Sequence, residues 1–238
     1  MNIKKTISSL SATTVITIAF ALGAHADVIT FSTSESQFDS GVHNQGFWIN
    51  NTNATDGNDN FFTGNQTSSI INRSFFTFDL SSLGALDVIT SADLKLRRFS
   101  SSGNNEETET VEFFDVSTDA ATMNNNSGQN AAIYADLGTG TSYGSFSVAG
   151  SGTSTDVLTF SLEPMAISDM NVAKGGFFSI GGTLQSSDGN DWLFGNSGGV
   201  AQSLEVNFTT IPEPGCVGAM FFASTWILAR RKRRVVNR

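Results

Sequence analysis

The sequence predicts an all-β fold, an antiparallel β-sandwich of the jelly-roll kind, over residues 27–210. Three observations carry that expectation. Short apolar or aromatic runs recur along the chain and are separated by Ser, Gly, Asn and Asp clusters, the pattern of strands joined by polar turns. Charged residues make up only 15% of the chain while Phe alone numbers 20, which fits a packed core and not a disordered chain. No long 3.6-residue periodicity alternates with the runs, so an α/β fold is not expected.

The expected strands follow in order. Residues 75–78 (FFTF) form one apolar run. Residues 88–96 form the next, and Ala92 to Leu96 alternate as a half-buried strand should. Residues 111–116, 145–148, 157–162, 176–180 and 204–208 behave similarly. One helix is expected over residues 164–173, because Pro164 fits a first helical turn and Gly175-Gly176 ends the segment. Two polar stretches read as long loops. Residues 100–105 with Glu106 and Glu107 read as an acidic hairpin tip, and residues 123–130 (MNNNSGQN) as an Asn-rich loop.

Composition removes several kinds of chemistry. His25 lies in the N-terminal segment, so His43 alone cannot build a His-rich zinc site. Cys216 is the single Cys, which excludes an intramolecular disulfide, a Cys-x-x-Cys pair and an iron–sulfur cluster within the chain. No phosphate-binding P-loop is present. Residues 27–211 hold five basic residues (Arg73, Lys95, Arg97, Arg98, Lys174) against 21 acidic ones, a net charge of −16. Such a body repels nucleic acid and anionic lipid and attracts cations.

The two ends have the organisation of targeting segments. In residues 1–26, Lys4 and Lys5 precede an apolar stretch from Leu10 to Leu22, and Ala24-His25-Ala26 supplies a small-x-small cleavage site before Asp27. The segment reads as a secretory signal, expected to engage the secretory translocon and to be cut by signal peptidase, with an uncleaved membrane anchor as the alternative. In residues 211–238, Pro212-Glu213-Pro214 is followed by an apolar stretch from Cys216 to Ala229. The basic cluster Arg230, Arg231, Lys232, Arg233 and Arg234 comes next. A fourteen-residue helix is short for a bilayer, but snorkelling Arg side chains permit a strained transmembrane span with the basic cluster cytoplasmic. Cys216 reads either as a small apolar residue or as an acylation site.

This tail resembles the PEP-CTERM sorting signal of Gram-negative bacteria, in the motif, the apolar segment and the terminal Arg cluster. The resemblance implies export, a transient hold in the inner membrane, processing by an exosortase, and release to the cell surface or extracellular matrix. It also implies a link to exopolysaccharide and biofilm. Within the body, Arg73-Ser74-Phe75-Phe76-Thr77-Phe78-Asp79-Leu80-Ser81-Ser82-Leu83, followed by residues 89–96 (ITSADLKL), is similar to extracellular jelly-roll modules of the DNRLRE-like kind. Some relatives of those modules bind polysaccharide. The similarity implies that Phe76, Phe78, Leu80, Leu94 and Leu96 pack the core and that Asp79 holds the turn after its strand. Residues 134–138 (YADLG) and 193–199 (LFGNSGG) are likewise familiar from PEP-CTERM proteins.

Two constellations are candidates for a site. The tetrapeptide Asp56-Gly57-Asn58-Asp59 recurs as Asp188-Gly189-Asn190-Asp191, each before an aromatic strand. Such loops gather the oxygen ligands that calcium prefers, and they are equally favoured turns that need no ion; they lack the twelve-residue EF-hand spacing. The aromatics Phe47, Trp48, Tyr134, Tyr143 and Trp192 are candidates for stacking on sugar rings, against core packing as the alternative. The acidic cluster Glu106, Glu107, Glu109 and Glu112 raises a carboxylate-pair glycosidase, against a solvated strand face. The expectation for function is a secreted, non-enzymatic structural or polysaccharide-binding module. The alternatives are a polysaccharide-modifying enzyme and a passive surface protein.

Overall fold

The computed structural model describes residues 26–33, 44–50, 60–102, 108–125, 127–154, 156–185, 190–195 and 201–211. Residues 1–25, where a secretory signal is expected, and residues 212–238, with the expected sorting motif Pro212, Glu213, Pro214 and the basic cluster, lie outside the described residues. Among the described residues no helix is long and apolar enough to cross a membrane.

Twelve strands and three helices are described. They are β1 (Ala26–Ser32), β2 (Gln45–Ile49), β3 (Phe61–Thr67), β4 (Ile70–Asp79), β5 (Asp87–Arg97), β6 (Ser100–Ser102), β7 (Thr108–Asp115), α1 (Ala120–Asn124), α2 (Ala131–Asp136), β8 (Ser142–Ala149), β9 (Val157–Ser161), α3 (Pro164–Ala173), β10 (Phe177–Gln185), β11 (Asp191–Gly195) and β12 (Ser203–Thr210). They build two antiparallel sheets, β1-β12-β5-β9 and β6-β11-β3-β4-β10-β7-β8, with β2 also paired to β4. The fold is the antiparallel sandwich that the strand pattern predicts.

The core lies between the sheets. Leu94 and Leu96 on β5, Leu204 and Val206 on β12 and Phe160 on β9 meet Phe76 and Phe78 on β4, Ile180 on β10 and Phe113 on β7. Residues 92–96 alternate buried and half-buried, as period-two spacing requires when one face meets the core. Leu80 is fully buried, and Asp79 Oδ1 accepts the Ser81 N–H at 2.9 Å, which fixes the turn that leaves β4. The expected helix is present as α3 with Pro164 in its first turn.

The reading of residues 123–130 as a loop holds for the described residues 125 and 127–130 and is corrected at its start, where Met123 and Asn124 end α1. Met123 is fully buried, and Asn130 caps α2. Asp119 Oδ1 accepts the Thr122 N–H at 3.1 Å; Asn130 Oδ1 accepts the N–H groups of Ala132 and Ile133 at 3.1 and 3.2 Å. Polar residues that resemble loop are here N-caps, satisfying the free donors at two helix starts. Residues 100–102 are corrected as well. They form β6 against β11, because strand pairing uses backbone groups and places no demand on three serines.

The two short helices cover the outer face of the large sheet. Phe75 points away from Phe76 and packs with Trp48, Met123, Ile133 and Leu137 in a second apolar cluster. The YADLG segment, residues 134–138, holds this layer down. Leu137 is fully buried and crosses Gly181 of β10 so closely that a Cβ there would meet its carbonyl oxygen at 2.6 Å. Arg73 Nη1 donates to the carbonyls of Tyr134 and Ala135 at 2.9 and 3.1 Å, and its guanidinium lies 4.4 Å over the Tyr134 ring. Asp136 accepts the N–H groups of Ser117 and Thr118 at 3.1 and 2.7 Å and both their hydroxyls.

Burial alone would raise the Asp136 carboxyl; the hydrogen bonds from Thr118 and Ser117 outweigh it and hold the group below the ordinary carboxylate range. A lowered native pKa adds stability above the unfolded value of about 3.9, and that contribution is lost as pH falls through the native value. Asp136→Asn is expected to lose about 1–2 kcal/mol at neutral pH, and its deficit should close as the wild type is acidified below about pH 4. Urea midpoints of the two proteins across pH check this; a deficit independent of pH would contradict the role of the charge.

Candidate aromatic binding face

One end of the large sheet carries a row of aromatic side chains that are not in the core. On β11, Leu193 points into the core, so Trp192 and Phe194 point the other way and are half-buried. Phe62 of β3 lies directly across from Phe194. Its ring sits 5.4 Å from Trp192, 5.7 Å from Phe194 and 6.0 Å from Phe47 of β2. Phe99, in the turn between β5 and β6, stands edge-on to Phe194 at 5.9 Å and is 48% exposed. The row therefore runs Phe47, Phe62, then Trp192 and Phe194, then Phe99.

Four separate elements place these rings. The pairing of β11 to β3 sets Phe194 against Phe62, and the Phe99 N–H bonds the Phe194 carbonyl at 2.8 Å. Gly195 is needed for close approach: a Cβ there would lie 1.9 Å from the Phe61 ring, which fills the core beneath. The Trp192 indole N–H donates to Asn190 Oδ1 at 3.3 Å, and Asn190 itself adopts φ 73°, a left-handed conformation that Asn tolerates. Most neighbouring rings are tilted by 32° to 53°, with Phe62 and Trp192 nearest to a common plane. Three consecutive spacings of 5.7–6.0 Å exceed one six-membered ring, so the row suits a run of rings.

Only part of the expected aromatic set is here. Trp192 and Phe47 belong to the row, while Trp48 and Tyr143 are corrected as stacking candidates. Trp48 is 2% exposed, packs on Phe75 and donates its indole N–H to the Met123 carbonyl at 3.2 Å. Tyr143 is equally buried, stacks on Phe178 at 5.7 Å and donates its hydroxyl to Asp169 at 2.9 Å. Burial and the Asp169 carboxylate push its phenol far above the ordinary value. Tyr134 is half-buried beneath Arg73, away from the row. Phe62, Phe194 and Phe99 belong to the site although sequence reasoning did not select them. The signal was available in the alternation of residues 192–194, where Leu193 separates two rings.

Of the acidic loops, Asp56, Asn58, Asp59 and Asp188 lie outside the described residues. Asn190 Oδ1 accepts the Trp192 indole N–H at 3.3 Å, and Asp191 is 1% exposed within the β11–β3 pairing. Among the described residues no three His, Cys, Asp or Glu side chains converge. His43, Glu106 and Glu107 also lie outside the described residues. The solvated-face reading of Glu109 is corrected: β7 is paired on both sides, and Glu109 is 3% exposed in line with the core residues Val111 and Phe113. Glu112 has the opposite strand parity and accepts from Gln185 Nε2 at 2.6 Å, so the two carboxylates do not face each other across one strand.

No known protein family matches the chain, and none of the curated proteins matches it.

The two described tryptophans should separate experimentally. Trp48→Ala empties a buried site and is expected to cost about 3–5 kcal/mol, whereas Trp192→Ala at the partly exposed row should cost about 1 kcal/mol or less. Chemical denaturation of both variants checks the order; a Trp192→Ala loss as large as that of Trp48→Ala would make the row a packing element.

Proposed function

We propose that the protein is a secreted, non-enzymatic polysaccharide-binding module of the bacterial envelope or extracellular matrix. In this reading the signal segment exports it. The PEP-CTERM tail holds it in the inner membrane until an exosortase releases it, and the sandwich then engages exopolysaccharide. The jelly-roll relationship of the body belongs to the same proposal.

The observation that carries the binding role is the row Phe47, Phe62, Trp192, Phe194 and Phe99. Aromatic faces attract the C–H face of a pyranose, and sequence-adjacent Asn60, Asn190 and Ser100 supply amide and hydroxyl groups at its margin.

Residues 27–211 contain the whole described core and are the fragment to test. Their migration should be retarded in a native gel cast with the producing bacterium's exopolysaccharide, and Trp192→Ala should weaken the affinity about five- to tenfold, the loss of about 1–1.5 kcal/mol for one ring contact. Wild-type migration unchanged by the polysaccharide would refute the binding role; shortening of the polymer would replace it with an enzymatic one.

A further inference from the structure

We infer that the aromatic row is selective for uncharged polysaccharide segments and discriminates against acidic ones, an inference that rests on the proposed binding role. A sugar chain with carboxylate or sulfate groups needs a cation at its binding face to offset the loss of its hydration. The five basic side chains of residues 27–211 are all engaged elsewhere. Arg73 is fixed over Tyr134 and its carbonyl. Lys95 pairs with Glu205 at 2.7 Å on the small sheet. Arg98, next to Phe99 in sequence, is turned away from it: its side chain is 5% exposed and binds Asp156 at 2.7 Å and the Ala149 carbonyl at 2.9 Å. Arg97 donates to the Ser154 carbonyl and Lys174 to that of Asp87.

The body as a whole is strongly negative, −16 over residues 27–211. An acidic polymer approaching the row meets repulsion from this field with no local cation to reward it. A neutral polymer pays no such penalty and still gains the stacking contacts. The row thus sorts matrix polysaccharides by charge before it sorts them by sugar.

The test uses the full chain, held in a detergent without a sugar head group. Neutral β-glucan, α-glucan and galactomannan are each compared with a carboxymethylated form and with a hydroxyethylated form that controls for bulk. At about 0.01 M salt, where the screening length is about 30 Å, a neutral polymer should bind and its hydroxyethyl form should follow it. The carboxymethyl form should bind at least about tenfold more weakly. The gap should narrow at about 0.15 M salt, and Trp192→Ala and Phe62→Ala should each weaken binding of the neutral polymer about five- to tenfold. Equal or tighter binding of the carboxymethyl form overturns the selectivity and leaves the binding role intact. Tight binding of that form only with added calcium also overturns it, since an ion would then supply the missing positive charge. Failure of every polymer, from protein shown to be folded, overturns the binding role together with the selectivity.

Discussion

The structure depends on β4 being buried on both faces. From Ser74 to Phe78 every side chain is inaccessible, so the strand has no solvent side. Phe76 and Phe78 build the core between the sheets, while Phe75 anchors a second cluster with Trp48, Met123, Ile133 and Leu137. Burying a large aromatic side chain contributes about 1.5–3 kcal/mol, so losing the outer layer would expose surface that the sandwich alone cannot cover. This explains why so many polar devices serve the two short helices. The Asp119 and Asn130 caps, the Asp136 bonds and the Arg73 clamp each fix a segment too short to be helical by itself.

The same constraint positions the candidate site. β2 and β3 pair with opposite edges of β4 and meet it at Asn72, which faces Ile49 on one edge and Gly64 on the other. Trp48 of β2 enters the outer cluster, and the Phe47 ring lies beside that of Phe62. β11 then continues the sheet beyond β3, where no described helix covers it, and its outward rings Trp192 and Phe194 stay half-buried. The aromatic row is the part of the large sheet that the helical layer does not reach. Its charge environment follows from the same economy, since the few basic residues are spent on clamps and ion pairs in the fold.

Strands with one wet face were legible in the sequence, and residues 92–96 are the clearest case. β4 was legible as an apolar run, but its two-sided burial was not, because FFTF does not say what covers the second face. The α1–α2 layer was hidden for a related reason: Asn and Ser read equally as loop or as cap, and the choice is made by Met123 and Ile133 finding Phe75. For the site, aromatic identity was visible and exposure was not. Trp48 and Trp192 each sit near an acidic tetrapeptide, yet one packs under a helix and the other lies on open sheet. Phe62, Phe194 and Phe99 join the row through β-pairing between distant segments, which local sequence does not encode.

The central claim is that Trp192 and its neighbours are the face that meets polysaccharide. In residues 27–211 only two indole N–H groups exist, Trp192 bonded to Asn190 and Trp48 bonded to Met123. Their nitrogen-15 NMR resonances can be followed while neutral oligosaccharides are added. The account predicts a saturable shift of the Trp192 resonance with that of Trp48 unmoved. Binding that leaves Trp192 unmoved would place the sugar elsewhere on the sandwich and contradict the account.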